Sequence, residues 1–123
     1  MKRGVSVVRS AVLVALSVGL LSTAAFAHNK LLKTDPLDTA ALKSGPMMIQ
    51  LWFQEKPDLT VTKLQVKGPS GPVDLGPVHA MANNEIMADV KGKLGPGSYV
   101  VDWQTAGDDG HVSKGQFTFT VVP

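Results

Sequence analysis

Three features of the sequence predict an all-β fold. Short runs of β-forming residues recur at intervals of roughly ten residues. Clusters of Pro, Gly and Asp separate them, and no window carries the 3.6-residue periodicity of a long amphipathic helix.

The elements follow in order. An extended segment, His28–Thr34, ends at "DPLDTAALKSGP", whose "TAALK" has room for one helical turn at most. "MMIQLWFQE" (Met47–Glu55) alternates, with Ile49, Leu51 and Phe53 on one face. "LTVTKLQVKG" (Leu59–Gly68) reads as a strand and "GPSGP" as the turn after it. "VDLGPVHAM" and "NEIMADVKG" are weaker β segments. "GSYVVDWQTA" (Gly97–Ala106) sets Tyr99, Val101 and Trp103 on one face, opposite Val100, Asp102 and Gln104. "GQFTFTVV" (Gly115–Val122) points Phe117, Phe119 and Val121 inward and its threonines outward. About seven strands result, and the predicted fold is a small Greek-key β-sandwich, immunoglobulin-like or cupredoxin-like. A small barrel is the alternative.

Residues 1–27 read as a cleaved secretory signal peptide. Lys2, Arg3 and Arg9 give the positive region, Ala11–Leu21 the apolar region, and Ala25–Ala27 a small-x-small cleavage site. The apolar run falls short of the roughly 20 residues of a spanning helix. The expected mature domain is 28–123, and its expected location the periplasm. Without the leader, nine lysines face ten acidic residues and the net charge changes from +2 to −1. No arginine remains, so the sequence offers no basic patch for nucleic acid. With no cysteine, disulfides, thiolate metal sites and Cys nucleophiles are excluded. A metal here must be held by nitrogen, oxygen or thioether.

Cleavage after Ala27 makes His28 the first residue, with both an α-amine and an imidazole Nδ1 to close a chelate ring. The amine, with a pKa of about 8 in model peptides, gives up its proton to a strong Lewis acid. Asp109 and His111 in "AGDDGHVSKG" are spaced i, i+2, which in an extended segment puts them on one face. "Asp-Gly" also fits a plain hairpin turn. Together the three residues offer three nitrogens and one carboxylate oxygen, suited to tetragonal Cu(II). Zn(II) is the chemical competitor, and Ca(II) and Mg(II) want more oxygen.

His79, Met81 and Met87 form a second candidate set, of the soft kind that takes Cu(I). Methionine is an ordinary core filler, so a Cu(I) site is not expected. Met47 and Met48 read as strand residues. No serine lies in a nucleophile elbow. Asp108 and Asp109, as neighbours in an extended segment, face opposite ways and make no acid–base pair.

The mature chain resembles the CopC (PcoC-like) family of periplasmic copper-binding proteins over nearly its whole length. The matching stretches are "HNKLLKTDP", "PMMIQLWFQE", "LGPGSYVVDWQTAGDDGH" and "GQFTFTVV". The resemblance implies one Cu(II) per mature chain, held by the His28 amine and imidazole with Asp109 and His111. It implies Glu55 as a weak axial or outer group near the metal, and Trp103 as the strand tryptophan packed beside the site. Lys30 stands where the family often has a second early His, and a Met-rich loop is missing, which suggests a single Cu(II) site. Gln104, Gly107 and Val112 replace the family's Arg, Ser and Pro around it.

The resulting expectation is a monomeric copper carrier or buffer, not an enzyme, that serves copper homeostasis or resistance. Its expected partners are the copper ion and an inner-membrane copper transport protein of the CopD type. Two other functions compete. A copper-dependent oxidative enzyme of the histidine-brace type needs an open coordination position, which Asp109 would fill. A metal-free interaction sandwich would make His28 accidental.

Overall fold

The computed structural model describes residues 29–123. The leader and His28 lie outside the described residues. All regular structure within them is strand. The nine strands are β1 (Leu31–Asp35), β2 (Ala40–Leu42), β3 (Met48–Phe53), β4 (Lys63–Gly68), β5 (Gly71–Val73), β6 (His79–Met81), β7 (Glu85–Asp89), β8 (Gly97–Ala106) and β9 (Val112–Val121).

One sheet has four strands in the order β1-β3-β7-β6, the other five in the order β2-β9-β8-β4-β5. The chain passes between the sheets several times, so neither sheet forms from consecutive strands alone. The alternating faces read from sequence are the ones that meet. Ile49, Leu51, Phe53 and Ile86 of the first sheet pack against Val66, Tyr99, Val101, Phe117, Phe119 and Val121 of the second. Tyr99 stacks on Phe119 with centroids 5.1 Å apart and planes 10° apart, and its hydroxyl donates to the Gly95 carbonyl at 2.7 Å. With no disulfide available, this apolar contact between sheets is the main source of stability.

The structure differs from the sequence reading in four places. The strands number nine rather than about seven, because three of them have only three residues each. One is β2, inside the segment read as turn with room for a single helical turn. It pairs in parallel with β9 from Ala40↔Phe119 to Leu42↔Val121, a long-range contact that local propensity does not encode. β4 begins at Lys63 rather than Leu59, because Asp58 caps a turn through Thr60 and Thr62. Met47 lies ahead of β3 and is 81% exposed.

The fourth difference concerns the methionines. His79 and Met81 are exposed, Met81 at 45%, and Met87 is half-buried. None of them belongs to the core. β6 is the edge strand of its sheet, where His79 lies opposite Met87 and Met81 opposite Glu85. Ala80, between them, faces Ile86, so the alternation sends His79 and Met81 to the outer side.

Candidate metal centre

β8 and β9 run as one continuous ladder from Gly97↔Val121 to Ala106↔Val112. The five residues that join them, 107–111, carry Asp109 and His111. This link is not extended. The Gly110 amide donates to the Gly107 carbonyl at 3.1 Å, closing a four-residue turn, and Gly110 sits at φ +76°, where glycine is favoured. Asp109 and His111 therefore meet through a turn, not through the same-face rule of an extended segment. The His111 amide donates to Asp109 Oδ1 at 3.0 Å, and His111 Nδ1 lies 3.2 Å from Asp109 Oδ2. A carboxylate on one ring nitrogen fixes the ring's direction and makes the other nitrogen the better donor.

Glu55, just beyond β3, ties this turn to the opposite sheet. Its Oε1 accepts the Asp108 amide at 3.2 Å. A Cβ on Gly107 would displace the end of the Glu55 side chain, so the carboxylate occupies space that glycine leaves open. Glu55 is itself held at its backbone. Its N–H donates to Asn29 Oδ1 at 2.8 Å, and its C=O accepts from Asn29 Nδ2 at 2.9 Å. Asn29 is only 1% exposed. It also lies against the turn, since that same Cβ would come within 3.4 Å of Asn29 Cβ.

The end of β8 is braced from a second side. The Asp58 amide donates to the Ala106 carbonyl at 2.9 Å, and the Thr62 and Thr105 hydroxyls are 2.9 Å apart. The hydroxyl and amide of Thr60 hold the Asp58 carboxyl below its usual range. Trp103 packs edge-on against Phe53, with centroids 5.4 Å apart and planes at 64°. It thereby supports the strand that leads to Glu55. Its buried Nε1 has no hydrogen-bond partner among the described residues.

Of the residues read from sequence as a site, the structure thus brings Asp109, His111 and Glu55 to one end of the sandwich, with Trp103 on the strand below them. His28 lies outside the described residues, and these alone gather no group of three or more His, Cys, Asp or Glu side chains. His79, Met81 and Met87 belong to the outer face of the four-stranded sheet. Asn29 was not singled out in the sequence. Its position next to His28 in the chain was the one available signal.

Comparison with known proteins identifies the family. A family model described as the CopC domain matches residues 31–122. "Copper resistance protein C" of Xanthomonas campestris pv. juglandis is 34% identical over 125 residues, covering 94% of this chain and 95% of that protein. Protein YobA of Escherichia coli strain K12 is 28% identical over 110 residues, covering 86% and 88%. Among solved structures, PcoC from Escherichia coli, titled a methionine-rich copper resistance protein, aligns with a TM-score of 0.69 at 28% identity. That alignment covers 77% of this chain and 99% of PcoC. CopC from Methylosinus trichosporium OB3b aligns with a TM-score of 0.70 at 26% identity, covering 78% and 95%. A family match spanning the whole sandwich, joined to these relatives, establishes that the chain belongs to the CopC domain family.

Proposed function

We propose that this protein is a periplasmic Cu(II) carrier or buffer in copper homeostasis or resistance, with one Cu(II) per mature chain. The donors are the α-amine and imidazole of His28, exposed by cleavage after Ala27, together with Asp109 and His111. The observation that carries this reading is the position of Asn29. It is buried, bonded to Glu55 and set against Gly107, two residues ahead of Asp109. Asn29, the first described residue, lies beside the turn that carries Asp109 and His111, and His28 precedes it in the sequence.

The donor chemistry fits the metal. Amine nitrogen, two imidazoles and a carboxylate suit Cu(II), and no thiolate competes for softer ions. Copper here is cargo, and the protein acts as a carrier, not as an enzyme. Asp109 as a ligand would fill the position that an oxygen-activating copper leaves open. We propose an inner-membrane transport protein of the CopD type as the receiving partner, and a monomer as the working form.

The decisive comparison is between the mature chain and one with a single extra residue before His28. Cu(II) titration and electron paramagnetic resonance should show one nitrogen-rich tetragonal copper in the first. In the second, affinity should fall and the spectrum change. Equal affinity and identical spectra in the two chains would rule out the amine as a ligand.

A further inference from the structure

We propose that Asn29 is a positioning residue of the copper site, acting through Glu55 on the turn that carries Asp109 and His111, and that its carboxamide governs how long copper is retained. The inference rests on the chelate proposed above.

Antiparallel pairing of β1 with β3 sets Leu31 opposite Phe53, and the Gln54 amide donates to the Lys30 carbonyl at 2.8 Å. Continued by the same register, the ladder brings Asn29 opposite Glu55. Lys30 and Gln54 are the hydrogen-bonded pair, so Asn29 and Glu55 form a non-hydrogen-bonded pair that only a side chain can link. The Asn29 carboxamide makes both hydrogen bonds to the Glu55 backbone, one as donor and one as acceptor. Asparagine fits this role because its planar amide carries a donor and an acceptor together, on a stem of one methylene. Aspartate has no donor, and glutamine is one methylene longer.

Two consequences follow. Asn29 is held against the turn at 107–111, where a Cβ on Gly107 would come to 3.4 Å from its own Cβ. The Glu55 backbone is also immobilised, and the carboxylate of the same residue accepts the Asp108 amide. Asn29 adjoins His28, and Asp108 adjoins Asp109. Glu55 is thus the link between the two halves of the donor set, and Asn29 is what fixes Glu55. Removing the carboxamide leaves two backbone groups of Glu55 without their partners, a loss that is costly where water is excluded.

The test is the rate at which copper-loaded mature protein yields Cu(II) to a competing chelator, followed optically, with paramagnetic resonance of the loaded forms. Asn29→Ala should release copper about tenfold faster, as for other groups that orient ligands, and its nitrogen hyperfine pattern should change. Thr34→Ala is the structural control, because it removes a buried side-chain hydrogen bond elsewhere, from Thr34 Oγ1 of β1 to the Pro36 carbonyl at 2.8 Å. It should lower the melting temperature but keep the wild-type release rate.

Should Asn29→Ala not fold, Asn29→Asp serves instead. It keeps the acceptor for the Glu55 amide and loses the donor. Added negative charge alone would slow release, so faster release supports positioning and slower release overturns it. Wild-type release and an unchanged spectrum in Asn29→Ala would overturn the inference. The chelate reading would still stand if the extra residue before His28 weakens binding. If the mature wild-type chain binds no Cu(II), both are overturned.

Discussion

Two histidines, one in the turn between β8 and β9 and one on the outer side of an edge strand, show what separates a metal donor from a surface residue. His111 sits in a closed turn, with one ring nitrogen directed at a carboxylate that also takes the His111 amide. The turn is in turn latched to Glu55 through Asp108. His79 sits on a three-residue edge strand, opposite a half-buried methionine, and no hydrogen bond joins its ring to another described residue. Both are exposed imidazoles. Only the first has its direction set before a metal arrives, and a donor already held in place loses less entropy on binding.

Replacing each residue in turn sharpens this contrast. His111→Ala should have the largest effect. It removes a ligand outright, so calorimetry should show a fall in Cu(II) affinity beyond the roughly 10–100-fold typical when an outer partner is lost. A fall no larger than that of Asn29→Ala would demote His111 from ligand to support.

Gly107→Ala comes next, and it acts on the latch rather than on a donor. Its Cβ would displace the Glu55 carboxylate. Because the far end of the Glu55 side chain can swing away, the cost should be about that of its lost bond to the Asp108 amide, roughly 0.5–1.5 kcal/mol, read in denaturant, with weaker copper binding in parallel. Unchanged stability would mean that Glu55 and the turn separate without cost.

His79→Ala should have the smallest effect. As an exposed substitution outside any network it should stay within about 0.5 kcal/mol in stability, with Cu(II) affinity unchanged. A measurable loss of Cu(II) would return the outer face to the list of binding surfaces.

The legible part of the fold was the part governed by period two. Each inward face named from sequence on β3, β8 and β9 supplies the core, because burial on one side and water on the other enforce alternation. The segments misread were those that alternation does not govern. β2 contains two alanines and one leucine, and it is a strand only because β9 offers it an edge. Met81 has the chemistry of a core residue, yet the edge position of β6 leaves it exposed. At the site, residue type singles out Asp109 and His111, and of the two local readings, an extended segment or an Asp-Gly turn, the structure has the turn. Asn29 and Gly107 gave no chemical signal, since one is an uncharged amide and the other has no side chain.

The sequence by itself determined the all-β class, the inward faces, the absence of thiolate chemistry and the residue types able to hold a borderline metal. These depend on composition and on short-range periodicity, which a chain carries wherever it folds. Only the tertiary structure decided that Glu55 joins the turn at 107–111 to the segment beginning at Asn29. That link spans sequence separations of 26 and 53 residues. It exists because two sheets pack face to face and bring their strand ends together, and no local pattern encodes that meeting.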